Sequence, residues 1–472
     1  MVSIYDGILQ EIPPQNHDIV RRVLIWIMNS ARELTVAEMS DAIVLNTTGE
    51  MINPDDRLID SDVIMRTCSS FLVQNNEGIA RNDTLQPVLR LIHVSFKEFL
   101  RSQQSQLSPF LDLQHSDGDR ILLDCCVSYL LSFDRENSVP DGDLTDTPLL
   151  TYAAEYWPYH ARRVENAGSW HPKTTRLIIR LFNDNNGIPL SNWLKALDPA
   201  APEGPAESVE KPNTIFSPLL YASSLGLRHV LESLFEVGGR YSAAELEACL
   251  HAASYNGNAE IVRFWLQQGT NPNAEHWSDG RPLDAAILKR HQSVVRLLIQ
   301  YGADMTYGDR ITGSPFQTAV SNGDASLVNL ILGPLKQRMS SKVFLEVVSL
   351  GLRDAARKGY LEVVQLLFNA DENGDVDAPD EAGFTALHYA IRYKCDDVQQ
   401  YLIDHGADID KRNLAGESPA DFAWSDRRLD LSLYNKVIDL KKKANQAFSC
   451  HILQQVSDSG ECHKVPIQLR NL

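Results

Sequence analysis

Apolar residues recur along the first hundred residues with two different spacings. Between residues 18 and 32, Ile19, Val23, Trp26 and Ile27 fall three or four apart, which predicts a helix with one buried face. Thr35-Val36-Ala37-Glu38 has the form in which a threonine and a glutamate three residues on satisfy each other's backbone amides. A second helix is therefore predicted to start at Thr35 and to turn Met39, Ala42 and Ile43 inward. A third, carrying Val63, Ile64 and Cys68, is predicted from about Ser61, after the Pro54-Asp55-Asp56 turn. Phe71-Leu72-Val73 and the run Val88 to His93 then read as paired strands around a polar loop. Residues 1–105 are thus predicted to form three helices followed by a two-stranded wing, which is winged-helix topology.

From residue 106 to 197 the pattern predicts a helical connector. Residues 119–133 form an amphipathic stretch, and residues 148–163 are rich in aromatic side chains. Residues 198–213, DPAAPEGPAESVEKPN, have no apolar period and read as a linker. Beyond them one short pattern repeats. Ala222, Ala253, Ala286, Ala319, Ala355, Ala390 and Ala423 are separated by 31, 33, 33, 36, 35 and 33 positions. Four residues after the alanine stands Gly226, Gly257, Gly323 or Gly359, with Arg290 and Lys394 in two copies. Glycine ends a helix in the left-handed region at low cost, so the turns at Arg290 and Lys394 are expected to be strained. An apolar second-helix face follows, as in Ile261, Val262, Trp265 and Leu266.

A period near 33 with paired helices, together with Thr385-Ala386-Leu387-His388-Tyr389-Ala390 and Gly406-Ala407-Asp408, resembles the ankyrin repeat. The fold class implied is mainly α: a winged-helix domain over 1–105, a helical connector over 106–197, the linker, ankyrin repeats over 214–440 with the last as a cap, and a tail over 441–472. The small residue is needed where first helices pack closely. The repeat around Ala319 is degenerate, and residues 333–350 are expected to lengthen its exit into an extended first helix. Such repeats bind proteins through hairpin tips and exposed first-helix positions on a concave surface. Carried over by position, the residues just before the turn are Tyr255 and Asn256, Leu288 and Lys289, Arg357 and Lys358, Arg392 and Tyr393. Trp277, Arg310, Ile311, Glu381, Phe384, Leu414 and Glu417 fall in hairpins. Aromatic and arginine side chains anchor interfaces more often than others, which favours Tyr255, Trp277, Phe384, Arg392 and Tyr393. The plainer role for any one of them is to cover a neighbouring repeat. His251 and His388, at the family's Leu-His position, are expected to donate to a neighbouring repeat's backbone.

The string RRVLIWIMNSARELTVAEMSDAI, followed by LIHVSFKEFLRS, resembles the winged-helix region after the nucleotide-binding module of fungal NACHT proteins, which are similar to NOD-like receptors. Many of those proteins end in ankyrin repeats. The resemblance implies a setting in immunity-like or self/non-self signalling, with the repeats as sensor and a NACHT-type nucleotide-binding module as a further partner. The phosphate-binding string GxxxxGK[ST] that such a module needs does not occur in this sequence. The chain begins where that module would end, and both a shortened gene and a chain that acts alone fit this.

Composition narrows the alternatives. Acidic residues outnumber basic ones by 62 to 44, a net charge of −18, which opposes broad contact with nucleic acid or an anionic membrane. No apolar run reaches the roughly twenty residues of a membrane span. Seven cysteines without framework spacing suit reduced thiols, so a cytoplasmic or nuclear location is expected. DNA binding by the third helix is opposed by its acidic start, with Arg66 its one basic residue. His93-Val94-Ser95 places a base near a hydroxyl, but no Gly-x-Ser-x-Gly elbow surrounds it, and Ser95 with Glu98 reads more simply as the cap of a helix over 96–102. Cys450-His451 and Cys462-His463 supply zinc donor types, but adjacent ligands are unlike the spacings that close a tetrahedral site. Cys125-Cys126 reads as part of a buried helix face. The expectation is a non-catalytic interaction protein without cofactor or metal, and hydrolysis through Ser95 is the weakest alternative.

Overall fold

A computed structural model describes residues 2–45, 62–81, 84–101, 115–135, 139, 146–183, 187–197, 217–237, 241–275, 280–307, 313–370 and 375–425. The linker over 198–213, the tail over 441–472 with its Cys-His pairs, and the Pro54 turn lie outside these. The chain divides into two compact units, Met1–Ala303 and Asp304–Leu472.

The first unit opens with α1 (Val2–Gln10), α2 (His17–Asn29), α3 (Val36–Val44) and α4 (Asp62–Thr67), then strands β1 (Leu72–Arg81) and β2 (Thr84–Leu91) and helix α5 (Val94–Arg101). β1 and β2 pair antiparallel, with Leu72 opposite Leu91 and Val73 opposite Arg90. The expected capping box forms. Glu38 N–H donates to Thr35 Oγ1 at 3.1 Å, and Thr35 N–H donates to Glu38 Oε2 at 2.9 Å. Arg32 adds two bonds to the Glu38 carboxylate, so this buried acid is paired. Met39, Ala42 and Ile43 point inward as expected.

Four connector helices follow: α6 (His115–Leu131), α7 (Leu150–Ala167), α8 (Pro172–Asn183) and α9 (Ile188–Leu197). Two expectations are corrected here. Helix α2 does not bury one stripe: Val20, Val23, Leu24, Ile25, Trp26 and Met28 are buried, whereas Ile19 and Ile27 are only half-buried. The reason is that α2 packs on α6 as well as on α3 and β2. Helix α6 is likewise buried on most of its circumference from Leu122 to Leu131, Cys125 and Cys126 included. Burial pushes the Cys125 thiol up to about 12, which makes it a packing residue rather than a nucleophile.

The unit ends in α10 (Pro218–Leu225), α11 (Arg228–Val237), α12 (Ala243–Tyr255), α13 (Ala259–Gln267), α14 (Pro282–Leu288) and α15 (Gln292–Gln300). The helices on either side of the linker pack together. Helix α8 lies on α11, and the Trp193 and Phe182 rings meet Tyr221 of α10 at 5.7 and 6.5 Å. The second unit holds α16 (Pro315–Ser321), α17 (Ala325–Arg338), α18 (Ser341–Lys358), α19 (Leu361–Ala370), α20 (Ala386–Arg392), α21 (Asp396–Asp404) and α22 (Pro419–Ser425). Helix α18, at 18 residues, is the extended first helix that the sequence predicted.

The alanine register holds wherever it can be seen. Ala222, Ala253, Ala286, Ala319, Ala355 and Ala390 are all 0% exposed; in the first unit α12 packs on α10 and α14, and in the second α18 packs on α16 and α20. The turns behave as the backbone requires. Gly226, Gly257, Gly323 and Gly359 have φ between 68° and 79°, and Arg290 and Lys394 are forced to 61° and 60°. Packing supplies a second reason for the glycines. A Cβ on Gly257 would lie 2.6 Å from the His291 ring, and one on Gly226 would lie 2.8 Å from Asn258. The side chain that follows one turn thus lies over the glycine of the turn before it. It also donates to that repeat's carbonyls: His291 Nε2 to Tyr255 O at 3.0 Å, and Asn258 Nδ2 to Ser223 O and Ser224 O, each at 2.8 Å.

A paired substitution separates these two effects. Gly257→Ala should cost about 1–2 kcal/mol in left-handed strain and about 1 kcal/mol more as His291 is displaced from its carbonyl. Gly269→Ala has a similar φ of 83° and open space around the new methyl, so only the strain is expected. Urea midpoints that are equal for the two variants would remove the packing role of His291.

Candidate functional site

Each first helix ends in two residues that the core does not need, and the structure gives them partners of different kinds. In the first unit Tyr255 is half-buried, and Lys289 from the following repeat places Nζ 4.2 Å from its ring centroid, a cation–π contact. Asn256 is exposed and donates to Ser224 Oγ at 3.1 Å and Ala252 O at 2.9 Å. Leu288 is 47% exposed. Trp277, Arg310 and Ile311 lie outside the described residues.

In the second unit α18 and α20 pack side by side and end in Arg357-Lys358 and Arg392-Tyr393. Arg357 donates to Asp354 Oδ1 from Nη2 at 2.5 Å and from Nε at 3.2 Å. Lys358 Nζ donates to Ser321 O at 3.0 Å and stands 3.9 Å from Asp354. Asp354 also accepts from Ser321 Oγ at 2.7 Å. Burial alone would raise the Asp354 carboxyl, but the bonds from Ser321 and Arg357, with the charge of Lys358, hold it below its usual value. Arg392 lies over Phe384, 6.0 Å from the ring centroid. Tyr393 is 51% exposed.

Phe384 is less available than its hairpin position implied. It is half-buried, its ring within 6 Å of His388, Tyr389 and Phe422, so it closes the gap to the next repeat. The hairpin is tied down by Asp380, which accepts from Ala382 N–H, Phe384 N–H and the Tyr389 hydroxyl. His388 does what its position predicted. Nδ1 accepts from Thr385 N–H at 3.1 Å and Nε2 donates to Glu417 O in the following repeat at 3.2 Å. Arg353 stands outside the positions that the repeat pattern picks out, and its Nη1 donates to Ala378 O at 3.0 Å beside a groove of about 350 Å³ lined by Lys342, Glu346 and Asp375. Its one visible signal was a cation a turn before Arg357 on the same helix.

The His93-Ser95 pair is in contact, His93 Nδ1 to Ser95 Oγ at 2.5 Å, but its setting corrects the expected cap. Helix α5 begins at Val94, one residue before Ser95, and His93 Nδ1 accepts the Ser95 N–H at 3.1 Å. The imidazole is therefore the group that satisfies the free amide, and Tyr5 takes up the serine hydroxyl at 2.5 Å. Among the described residues no carboxylate orients His93. Arg66, the basic residue of α4, donates to Asp62 O.

Comparison with known proteins agrees with the repeat geometry. The family model for ankyrin repeats matches residues 219–309 and 316–413, and these segments are ankyrin repeats. The chain is 28% identical over 285 residues to the azaphilone pigments biosynthesis cluster protein L of Monascus ruber, a match covering 57% of this chain and 59% of that protein. It is 29% identical over 144 residues to the putative ankyrin repeat protein FPV014 of fowlpox virus, covering 30% of this chain and 32% of that one. The match to the human mitochondrial disaggregase is 30% over 177 residues, covering 37% and 24%. The chain spans less than two thirds of the length of each of these. Among solved structures, the human ASB11 ankyrin repeat domain is 25% identical with a TM-score of 0.37, covering 44% of this chain and 91% of that one. The Bcl-3 ankyrin repeat domain is 26% identical with a TM-score of 0.33, covering 37% and 78%.

Proposed function

We propose that this chain is a non-catalytic scaffold or sensor that holds a protein partner through its ankyrin repeats. One observation carries this reading: the first helices end in side chains that the fold leaves outside its core, Tyr393 half exposed and Leu288 nearly so, while the alanines behind them are fully buried. A backbone held this uniformly can vary the residues at its helix ends without loss of stability, which suits recognition. Burial of Cys68, Cys125, Cys126 and Cys249 and the use of His93 as a helix cap both fit a protein without chemistry of its own.

Residues 1–105 are read as a winged-helix domain of the kind that follows a NACHT module, and the protein as part of a receptor system in immunity-like signalling. The support is the sequence resemblance and the element order, in which α2, α3 and α4, preceded by a further helix α1, come before the β1–β2 hairpin. The location proposed is cytoplasmic. No helix among the described residues is long and apolar enough to cross a membrane.

Site-specific photo-crosslinking tests the proposed surface. A benzophenone side chain at Leu288 or Tyr393, in the full chain in extracts of the source organism, is expected to give a discrete protein adduct. The same group at the exposed Arg296 on second helix α15 is expected to give none. Equal adducts from all three positions would sink the proposal.

A further inference from the structure

We infer that an extended segment of a partner protein lies in the second unit where the row of repeats lacks a hairpin, between α18 and the hairpin before α20. Its backbone carbonyls take the Glu381 and Asp375 amides, and an apolar side chain rests on Leu345, Ala378 and Pro379. This rests on the protein-binding reading above and adds the place and the form of the partner.

The gap begins in the chain. Residues 268–281, 301–314, 371–385 and 405–418 each stand between a second helix and the next first helix, whereas Met339 and Ser340 alone separate α17 from α18. Helix α18 is correspondingly long. Ala355 is in register with Ala390, so Gly351 answers Ala386, the first residue of α20, and residues 341–350 are extra. Those turns do not fill the place of a hairpin. They leave the groove of about 350 Å³ against Asp375, Ala378 and Pro379, with Arg353 bonded to Ala378 O. Before α12 the connection is short as well, residues 238–242, but the next hairpin has its tip outside the described residues.

The hairpins before α20 and α22 show what such a gap should hold, because they are built alike. Gly383 N–H donates to Asp380 O and Gly416 N–H to Asn413 O; Phe384 N–H donates to Asp380 Oδ1 and Glu417 N–H to Asn413 Oδ1. Asp377 N–H donates to Asp375 Oδ1 and Asp410 N–H to Asp408 Oδ1. Glu381 therefore answers Leu414, and Asp375 answers Asp408. The later hairpin seats on the earlier through those two residues. Leu414 N–H donates to Ala382 O at 3.0 Å, and Asp408 N–H to both Asp377 carboxylate oxygens at 3.0 Å. The repeat before α20 supplies no hairpin for the same purpose, and among the described residues nothing accepts the Glu381 or Asp375 N–H. A guest segment with main-chain acceptors completes the row, as a strand added to a sheet edge does.

The groove sets the character of the guest. Lys342 and Arg353 are matched by Glu346 and Asp375 in its lining, which favours a segment poor in charge. Leu345, Ala378 and Pro379 are its apolar part. Val343 and Leu350, 43% and 49% exposed, add apolar surface on the extra turns of α18.

The experiment is selection of a random-peptide display library on the immobilised full chain, followed by rebinding to variants. Glu381 is the second residue of the Asp380–Gly383 turn, a position that proline suits, so Glu381→Pro removes the N–H and keeps the turn. Glu381→Ala removes the side chain and keeps the N–H. The selected peptides are expected to be poor in charge, to carry a large apolar residue and to slow hydrogen exchange at the Glu381 amide. Their recovery should fall about tenfold on Glu381→Pro and stay unchanged on Glu381→Ala. Ser349→Trp, which fills the groove from α18, should give the same loss, and it decides alone if the proline variant has a lower urea midpoint. Peptides indifferent to Glu381→Pro and Ser349→Trp, equally weakened by Glu381→Ala, or rich in charge overturn the proposal and leave the protein-binding reading standing. Self-association of the parent chain that Ser349→Trp abolishes, read by sedimentation velocity, would assign the groove to a second copy and also overturns it. A library that yields no binder overturns it too, and the crosslinking at Leu288 and Tyr393 then decides the wider reading by itself.

Discussion

Trp265→Ala is expected to cost about 3–5 kcal/mol, the range for removing a large buried aromatic side chain. The indole is 0% exposed on α13, with the Phe264 and Phe235 rings edge-on at 5.0 and 5.6 Å. Its Nε1 donates to Ser223 Oγ at 3.0 Å, so one side chain fills the interior of its own repeat and bonds to the repeat before it. Repeat arrays owe their cooperativity to such neighbour terms. The urea transition of the first unit should therefore fall to a lower midpoint and also broaden. Trp265→Phe keeps most of the apolar volume and removes one of the hydrogen bonds of the buried Ser223 hydroxyl, which keeps its bond with Cys249, so a smaller loss of about 1 kcal/mol is expected. A loss below 1 kcal/mol for the alanine variant would show that the neighbouring rings close the cavity.

The second large effect lies in the connector. His160 is 0% exposed; its Nδ1 donates to Asp119 Oδ1 at 2.9 Å and its Nε2 accepts the Tyr152 hydroxyl at 3.0 Å. Tyr152 accepts Ala31 N–H at 2.9 Å, so the relay runs from α6 through α7 to the end of α2. Arg163 covers the other Asp119 oxygen at 2.7 Å. Asp119→Ala leaves a buried imidazole N–H without an acceptor, for an expected loss of about 2–3 kcal/mol.

The relay also sets a pH dependence. Burial holds the His160 imidazole below its ordinary 6.5, even though Asp119 pulls it the other way. Below pH 6.5 the unfolded chain binds a proton at this site that the folded chain refuses. Stability is therefore full above pH 6.5 and falls as the pH drops, by at most about 1.4 kcal/mol per pH unit. Burial would raise the Asp119 carboxyl, but hydrogen bonds from His160 and Arg163 hold it below 3.8, so a further loss is expected as the pH falls through that value. His388 is also held down, chiefly by burial, and contributes with the same sign. The quantity to measure is the difference between the parent and His160→Gln from pH 7.5 to 5, which cancels His388. A parallel pair of stability curves would exclude the relay as the source.

The features legible in the sequence were those set by local geometry. The alanine register, the left-handed turns, the strain at Arg290 and Lys394, the Thr35–Glu38 box and the role of His388 each depend on residues a few positions apart or on one repeat period. The binding positions were legible as places and only partly as chemistry. Tyr393 and Arg392 stand at helix ends as expected, while Phe384 turned out to cover its neighbours. Whether an aromatic ring faces solvent depends on what the next repeat brings against it, and periodicity carries no record of that.

The sequence by itself determined the repeat, because a small residue between close helices and a left-handed residue at a turn are steric requirements that every copy must meet. It also determined the excess of acid over base, 62 residues to 44. Tertiary structure alone decided that α6 is buried on most of its circumference and α2 on more than one face, that His291 lies over Gly257, and that Asp119, His160 and Tyr152 meet across 41 and 8 positions of chain. Those outcomes follow from which surfaces are brought together, and burial and desolvation act only once they meet.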